Sequence, residues 1–148
     1  VKLSPHFSLD EFEVSEKAAR LGLDNSVPPE LMGDLLYTAR ALEVVRQALG
    51  GRPVIITSGY RSPEVNAEVG GSKNSQHMKG RAADFIVPGF GRPLEVCRRI
   101  LEAGIVFDQL IHEYGRWAHC SFVQSAARCA VLTIDRRGTR RGLHEARG

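Results

Sequence analysis

The feature that most limits how this chain can fold is an apolar stripe in its first third. Leu31, Leu35, Thr38, Leu42, Val45 and Leu49 follow in 4-3-4-3-4 steps, the repeat of one face of an α-helix. Pro28-Pro29 opens the segment, Glu30 sits in its first turn and Gly50-Gly51 closes it. The spacing therefore predicts a long helix from Pro29 to about Leu49, with the stripe turned to a core. The surface to cover that stripe comes later in the chain. Val54–Thr57, Ala82–Val87, Ile105–His112 (paired from Phe107) and Trp117–Val123 read as strands, and Cys129–Ile134 can add a last one. The few residues around Gly115 predict an antiparallel hairpin. Shorter helices are expected after the Ser8-Leu9-Asp10-Glu11 capping box, over Ser15–Leu21 before Gly22, as a turn at Pro63–Val69, and from Pro93 with a face of Leu94, Cys97, Ile100 and Leu101. Helices first and strands later predict an α+β fold, a small, mainly antiparallel sheet with helices packed on it, not a βαβ array.

Length bounds the organisation. A chain of 148 residues with 43% hydrophobic and 25% charged residues is expected to form a single domain over 1–148. No apolar run approaches the roughly 20 residues of a membrane span, and VKLSPHFSLDEFE has no signal-peptide core. The expectation is synthesis in the cytoplasm without a signal peptide, and no membrane insertion. Three cysteines, Cys97, Cys120 and Cys129, without a CxxC pair, argue against a disulfide scaffold or a cysteine-rich zinc finger. Arg136, Arg137, Arg140 and Arg141 make a basic tail that can fray from about residue 135. No aromatic residues interleave with them, so no nucleic-acid partner is expected.

The residues able to do chemistry lie in the second half. His77 is separated from Asp84 by six residues, and His119 falls on an expected strand. Two imidazoles and a carboxylate form a three-ligand set suited to zinc, with a fourth position for water. Gly80 allows the chain to reverse between His77 and Asp84. Spacing alone leaves structural or surface roles open for each of these residues. Alternation along the strand puts Trp117 on the face of His119 and Cys120 on the opposite face, toward the core.

Ser58-Gly59-Tyr60-Arg61-Ser62, Asn66, Gly70-Gly71-Ser72, Ser75 to Phe85 with His77 and Asp84, and Trp117-Ala118-His119-Cys120-Ser121 stand in one order. Together they resemble the zinc D-Ala-D-Ala carboxypeptidase family (peptidase family M15), closest to its branch of small peptidoglycan carboxypeptidases and endopeptidases of phage or prophage type. The resemblance runs from about Leu3 to Val123. It implies a hedgehog/DD-peptidase-like fold, a zinc cofactor, and hydrolysis of amide bonds in peptidoglycan stem peptides or cross-links by a metal-bound water. A monomer acting on the bacterial cell wall is implied as well. Carried over by position, the zinc ligands are His77, Asp84 and His119, and Arg61 holds substrate and the polarised carbonyl oxygen. Ser75 and Trp117 are substrate-binding candidates. The family's usual general base lies three residues before the last histidine, where this chain has Arg116, which cannot take a proton. Glu113 is the nearest carboxylate and becomes the expected base, with Asp108 and His112 behind it. Cys120 stands where relatives usually carry an aliphatic residue. The alternative is a non-catalytic, metal-stabilised cell-wall-binding or phage-tail module, and the distance of Glu113 from the metal ligands discriminates between the two.

Overall fold

In the computed structural model, which describes residues 1–148, the apolar stripe becomes helix α3 (Met32–Ala48) after a 3-10 turn over Pro29–Leu31. Leu35, Thr38, Leu42, Val45 and Leu49 are all fully buried. Leu31 is only half-buried, because the tighter pitch of the 3-10 turn rotates it off the stripe. Truncating one of the buried leucines to alanine removes both transfer energy and packing, typically about 2–5 kcal/mol.

The smaller helices follow their local signals. In α1 (Leu9–Glu13) the backbone N–H of Ser8 donates to the Glu11 carboxylate at 3.0 Å, the reciprocal bond expected of a capping box. Helix α2 (Glu16–Leu21) ends on Gly22 in the left-handed conformation, and α4 (Pro63–Glu68) is capped by the Ser62 hydroxyl. Helix α5 (Pro93–Glu102) buries Leu94, Val96, Cys97 and Ile100, but Leu101 is 46% exposed. Its buried face therefore runs through Val96 and not, as expected, through Leu101.

The strands form a two-stranded ribbon, β1 (Lys2–Ser4) with β2 (Phe7–Ser8), and one six-stranded sheet. The sheet contains β3 (Ile55–Ser58), β4 (Ala82–Ile86), β5 (Gln109–Glu113), β6 (Trp117–Ser121), β7 (Ala130–Asp135) and β8 (Gly138–Arg141). Their spatial order is β3-β4-β6-β5-β7-β8. All neighbours are antiparallel except β5 and β7, which run parallel, so the sheet is mixed. Neither the ribbon nor β8 was expected from sequence. Beyond residue 135, where a fraying tail was expected, the chain returns as edge strand β8. The buried Asp135 carboxylate anchors that return, accepting from the Arg137 backbone N–H at 2.8 Å and from Arg140 Nη2 at 3.1 Å.

Alternation along the central strands separates the two faces of the sheet. Ala83, Phe85, Leu110, Ala118 and Cys120 share one core with the α3 stripe and with Val96, Cys97 and Ile100 of α5. Asp84, Ile111, Glu113, Trp117 and His119 point the other way and line a cleft. No helix is long and apolar enough to cross a membrane.

Candidate metal centre

Asp84 and His119 meet because β4 and β6 pair in register, with Asp84 opposite His119. His119 Nδ1 lies 2.8 Å from Asp84 Oδ1. His77 arrives from outside the sheet, on a 3-10 turn over Gln76–Lys79 that Gly80 ends with φ 71°. Two contacts fix that turn. The Thr38 hydroxyl, the polar position in the α3 stripe, donates to the Gly80 carbonyl at 2.7 Å. His77 Nδ1 lies 2.6 Å from the Gly59 carbonyl, which can only accept, so Nδ1 carries the proton and Nε2 is left bare.

That bare nitrogen tests whether the residues fit a metal. His77 Nε2 is buried, has no hydrogen-bond partner, and lies 3.3 Å from Asp84 Oδ1. An unpaired buried acceptor is costly unless something binds it. One ligand atom from each of His77, Asp84 and His119 lies within 4.8 Å of the others. A tetrahedral ion with bonds of about 2.0–2.2 Å spaces its ligand atoms by roughly 3.3 Å. The set fits zinc in donor type, separation and burial. Burial opposes ionisation of Asp84, but the two imidazoles beside it, His77 at 3.3 Å and His119 at 2.8 Å, hold its carboxyl well below the usual range. It is an anion, as a ligand must be.

Glu113 enters from β5. It pairs with Trp117 across the hairpin, and Ile111 pairs with His119, so Glu113 lies diagonal to His119. Glu113 Oε1 is 3.8 Å from His119 Nδ1 and accepts from Trp117 Nε1 at 2.8 Å. Burial, and then the Asp84 charge, raise its pKa above that of an ordinary glutamate. Trp117 thus orients Glu113 as well as walling the cleft. The other base candidates lie elsewhere. Arg116, which fills the family's usual base position but cannot take a proton, is exposed in the hairpin turn. His112 shares the strand parity of Leu110, and its Nδ1 donates to the His144 carbonyl at 2.9 Å. Asp108 is tied to Arg128 at 2.6 Å.

Arg61 lines the same cleft of about 580 Å³. It also lines an adjoining cleft of about 420 Å³ that meets the first at Arg61, Val69, Asp84 and Trp117. Its Nη1 donates to Asn66 Oδ1 at 3.1 Å, while its Nε is buried without a partner. Burial lowers the guanidinium pKa, and the Asp84 and Glu113 charges oppose that effect. The Ser75 hydroxyl accepts from the His77 backbone N–H at 3.2 Å and lines the cleft as well. Cys120 is fully buried on the far face, its thiol pushed well up by desolvation, so it is no nucleophile.

Sequence reading gave no role to several residues that the fold brings here. Asn66 is 4% exposed and holds Arg61 on one side and the Ser72 carbonyl on the other, at 2.9 Å. Gly71 packs directly onto that pair. Tyr114, with φ 57°, sets its ring 5.7 Å from that of Trp117. The glycine pair at 70–71 was a legible signal of close backbone approach, whereas nothing local marks Tyr114.

Comparison with known proteins agrees with this geometry. The family model described as Peptidase M15 matches residues 5–121. A curated relative, the zinc D-Ala-D-Ala carboxypeptidase of Streptomyces albus G, is 45% identical over 50 residues, 34% of this chain. The matched segment spans only 20% of that relative's length. With a family match over most of the chain and a buried metal-type triad inside it, this chain belongs to the M15 peptidase family.

Proposed function

We propose that this chain is a zinc-dependent peptidase that hydrolyses amide bonds in peptidoglycan stem peptides or their cross-links, in a hedgehog/DD-peptidase-like domain spanning residues 1–148. The observation that carries the reading is the Glu113 carboxylate, 3.8 Å from His119 Nδ1 with its pKa raised by burial. A purely metal-stabilised module has no use for a buried, protonatable carboxylate beside the ligands.

In this reading His77 Nε2, Asp84 and His119 Nδ1 hold the zinc. When bound, zinc supplies Lewis acidity toward water and toward the scissile carbonyl. Glu113 takes a proton from the attacking water and returns it to the leaving amine, a role that suits a carboxyl titrating above its usual range. Trp117 Nε1 keeps Oε1 aimed at the site. Arg61, permanently charged and anchored by Asn66, faces the developing oxyanion. Ser75 and Trp117 contact the peptide. The Gly59 carbonyl keeps His77 in the tautomer a metal requires.

Incubating the zinc-loaded protein with purified muropeptides, read by mass spectrometry, tests this directly. Hydrolysed products are expected from the parent, and their masses will distinguish trimming of a terminal residue from cleavage of a cross-link. Glu113→Gln should keep zinc while kcat falls by roughly 10²–10⁴. Full turnover by Glu113→Gln would remove Glu113 from the base role. A parent that cleaves no muropeptide would leave the cell-wall-binding module in place of the enzyme.

A further inference from the structure

We propose that Arg128 is a second anion-recognising residue of the cleft, one that engages a carboxylate of the peptide away from the scissile amide; the inference rests on the peptidase reading above. Arg128 lines the same cleft as His77, Glu113 and His119, and its side chain is 59% exposed. It is nevertheless not a loose surface arginine. Nε and Nη2 donate to Asp108 Oδ2 at 3.1 and 2.6 Å, and its backbone N–H donates to Oδ1 at 2.9 Å. The Asp108 side chain is only 4% exposed and also receives Gln76 Nε2 at 2.9 Å. Gln76 is the residue before the ligand candidate His77, so one buried carboxylate ties the metal-side turn to the loop that carries Arg128.

The backbone around Arg128 points the same way. Ala126 and Cys129 flank it at φ 57° and 54°. Such angles are uncommon for residues with a Cβ, and residues held in them cluster at ligand-contacting sites. The guanidinium is thus gripped from behind along its Nε–Nη2 edge, and its Nη1 edge remains for a ligand. A rigid planar fork held in this way matches a carboxylate in a two-point, charge-assisted bond.

Charge complementarity names the occupant. Arg61 and Arg128 are the guanidinium groups of this cleft, and Asp84 is already bonded to His119 and sits beside the bare Nε2 of His77. Arg61 is assigned to the reacting centre, which leaves Arg128 for a second carboxylate. Peptidoglycan stem peptides carry several, on the γ-linked glutamate, on diaminopimelate where present, and at the C-terminus. A neutral peptide would leave the Nη1 edge of Arg128, the edge that Asp108 does not hold, without a charged partner.

The test uses a synthetic stem pentapeptide, L-Ala-γ-D-Glu-diaminopimelyl-D-Ala-D-Ala, and analogues in which each carboxylate in turn is a carboxamide. With Arg128→Gln, KM for the all-acid peptide should rise about 10- to 100-fold, the range a charge-assisted hydrogen bond supports. One carboxamide analogue should erase the difference between parent and variant. Arg128→Lys should recover only part of the loss, because it restores charge without the fork. A KM that is unchanged, or that rises equally for every analogue together with a lowered thermal midpoint, would overturn the proposal and leave Arg128 as a loop anchor. Should the parent hydrolyse none of these peptides, the peptidase reading fails separately. Titration calorimetry of the zinc-loaded protein with the same set then decides the point. Tighter binding of the acid form, lost in Arg128→Gln, supports the carboxylate site, and equal affinities overturn it.

Discussion

Replacing Gly71 by alanine should disable the active site without emptying it. Gly71 does not have a left-handed φ, so its backbone does not need glycine; the space around it does. An added Cβ would lie 2.0 Å from Asn66 Oδ1 and 2.7 Å from Arg61 Nη1. Ordinary contacts of such an atom begin at about 3.4 Å, so Asn66 or the loop must retreat by more than about 1 Å. Asn66 is buried and bonded on both sides, to Arg61 at 3.1 Å and to the Ser72 carbonyl at 2.9 Å. Breaking those bonds should cost about 1–3 kcal/mol of stability. The displaced guanidinium should lower kcat/KM about 10²-fold, the scale associated with a misplacement of about 1 Å. The assay is kcat/KM on a muropeptide, with zinc per chain by elemental analysis and the thermal midpoint measured alongside. Activity equal to the parent would refute the claim that Asn66 positions Arg61. Loss of zinc together with activity would mean a wider collapse and refute it equally.

His77→Ala should lose zinc and, with it, the fall in thermal midpoint that a chelator produces in the parent, since metal binding contributes to folding; full zinc occupancy in the variant would remove His77 from the ligand set. Gly33→Ala, inside α3 with nothing within 4 Å of the new Cβ, should stabilise by up to about 1 kcal/mol in urea unfolding; a destabilised variant would contradict the exposed placement of that position. Hydrogen bonds from Arg128 hold the Asp108 carboxyl down to about 2, against the opposing effect of burial. Because the folded pKa lies below the unfolded one, this stabilisation is full above about pH 4 and is lost as pH falls toward 2. It is on the order of 1–2 kcal/mol after screening at the exposed arginine, so Asp108→Asn should flatten the acid limb of stability against pH; identical limbs would show the pair to be energetically silent.

Much of this molecule is local in origin and therefore legible along the chain. The α3 stripe, the Ser8–Glu11 capping box, the Gly22 stop and the β5–β6 hairpin each depend on residues a few positions apart, and periodicity or a cap residue reports them directly. Strand alternation is local too. It put Trp117 and His119 on one face and Cys120 on the other, and it brought Glu113 toward His119 although the family's usual base position holds Arg116. What the chain could not declare is what depends on register between distant segments. Asp84 reaches His119 only because β4 pairs with β6 at that step. His77 is presented with a bare Nε2 only because Gly59 and Thr38, from β3's end and α3, hold its turn. The Asp108–Arg128–Gln76 linkage joins three loops across separations of up to 32 residues. The returning strand β8 pairs with β7 and is anchored by a buried carboxylate, Asp135, that composition counted as part of a basic tail. Sequence alone determined which residue types could bind a metal and which faces they shared, since both follow from short-range geometry. Tertiary structure alone decided which of them meet, because long-range pairing is a property of the whole packed sheet and not of any window of residues.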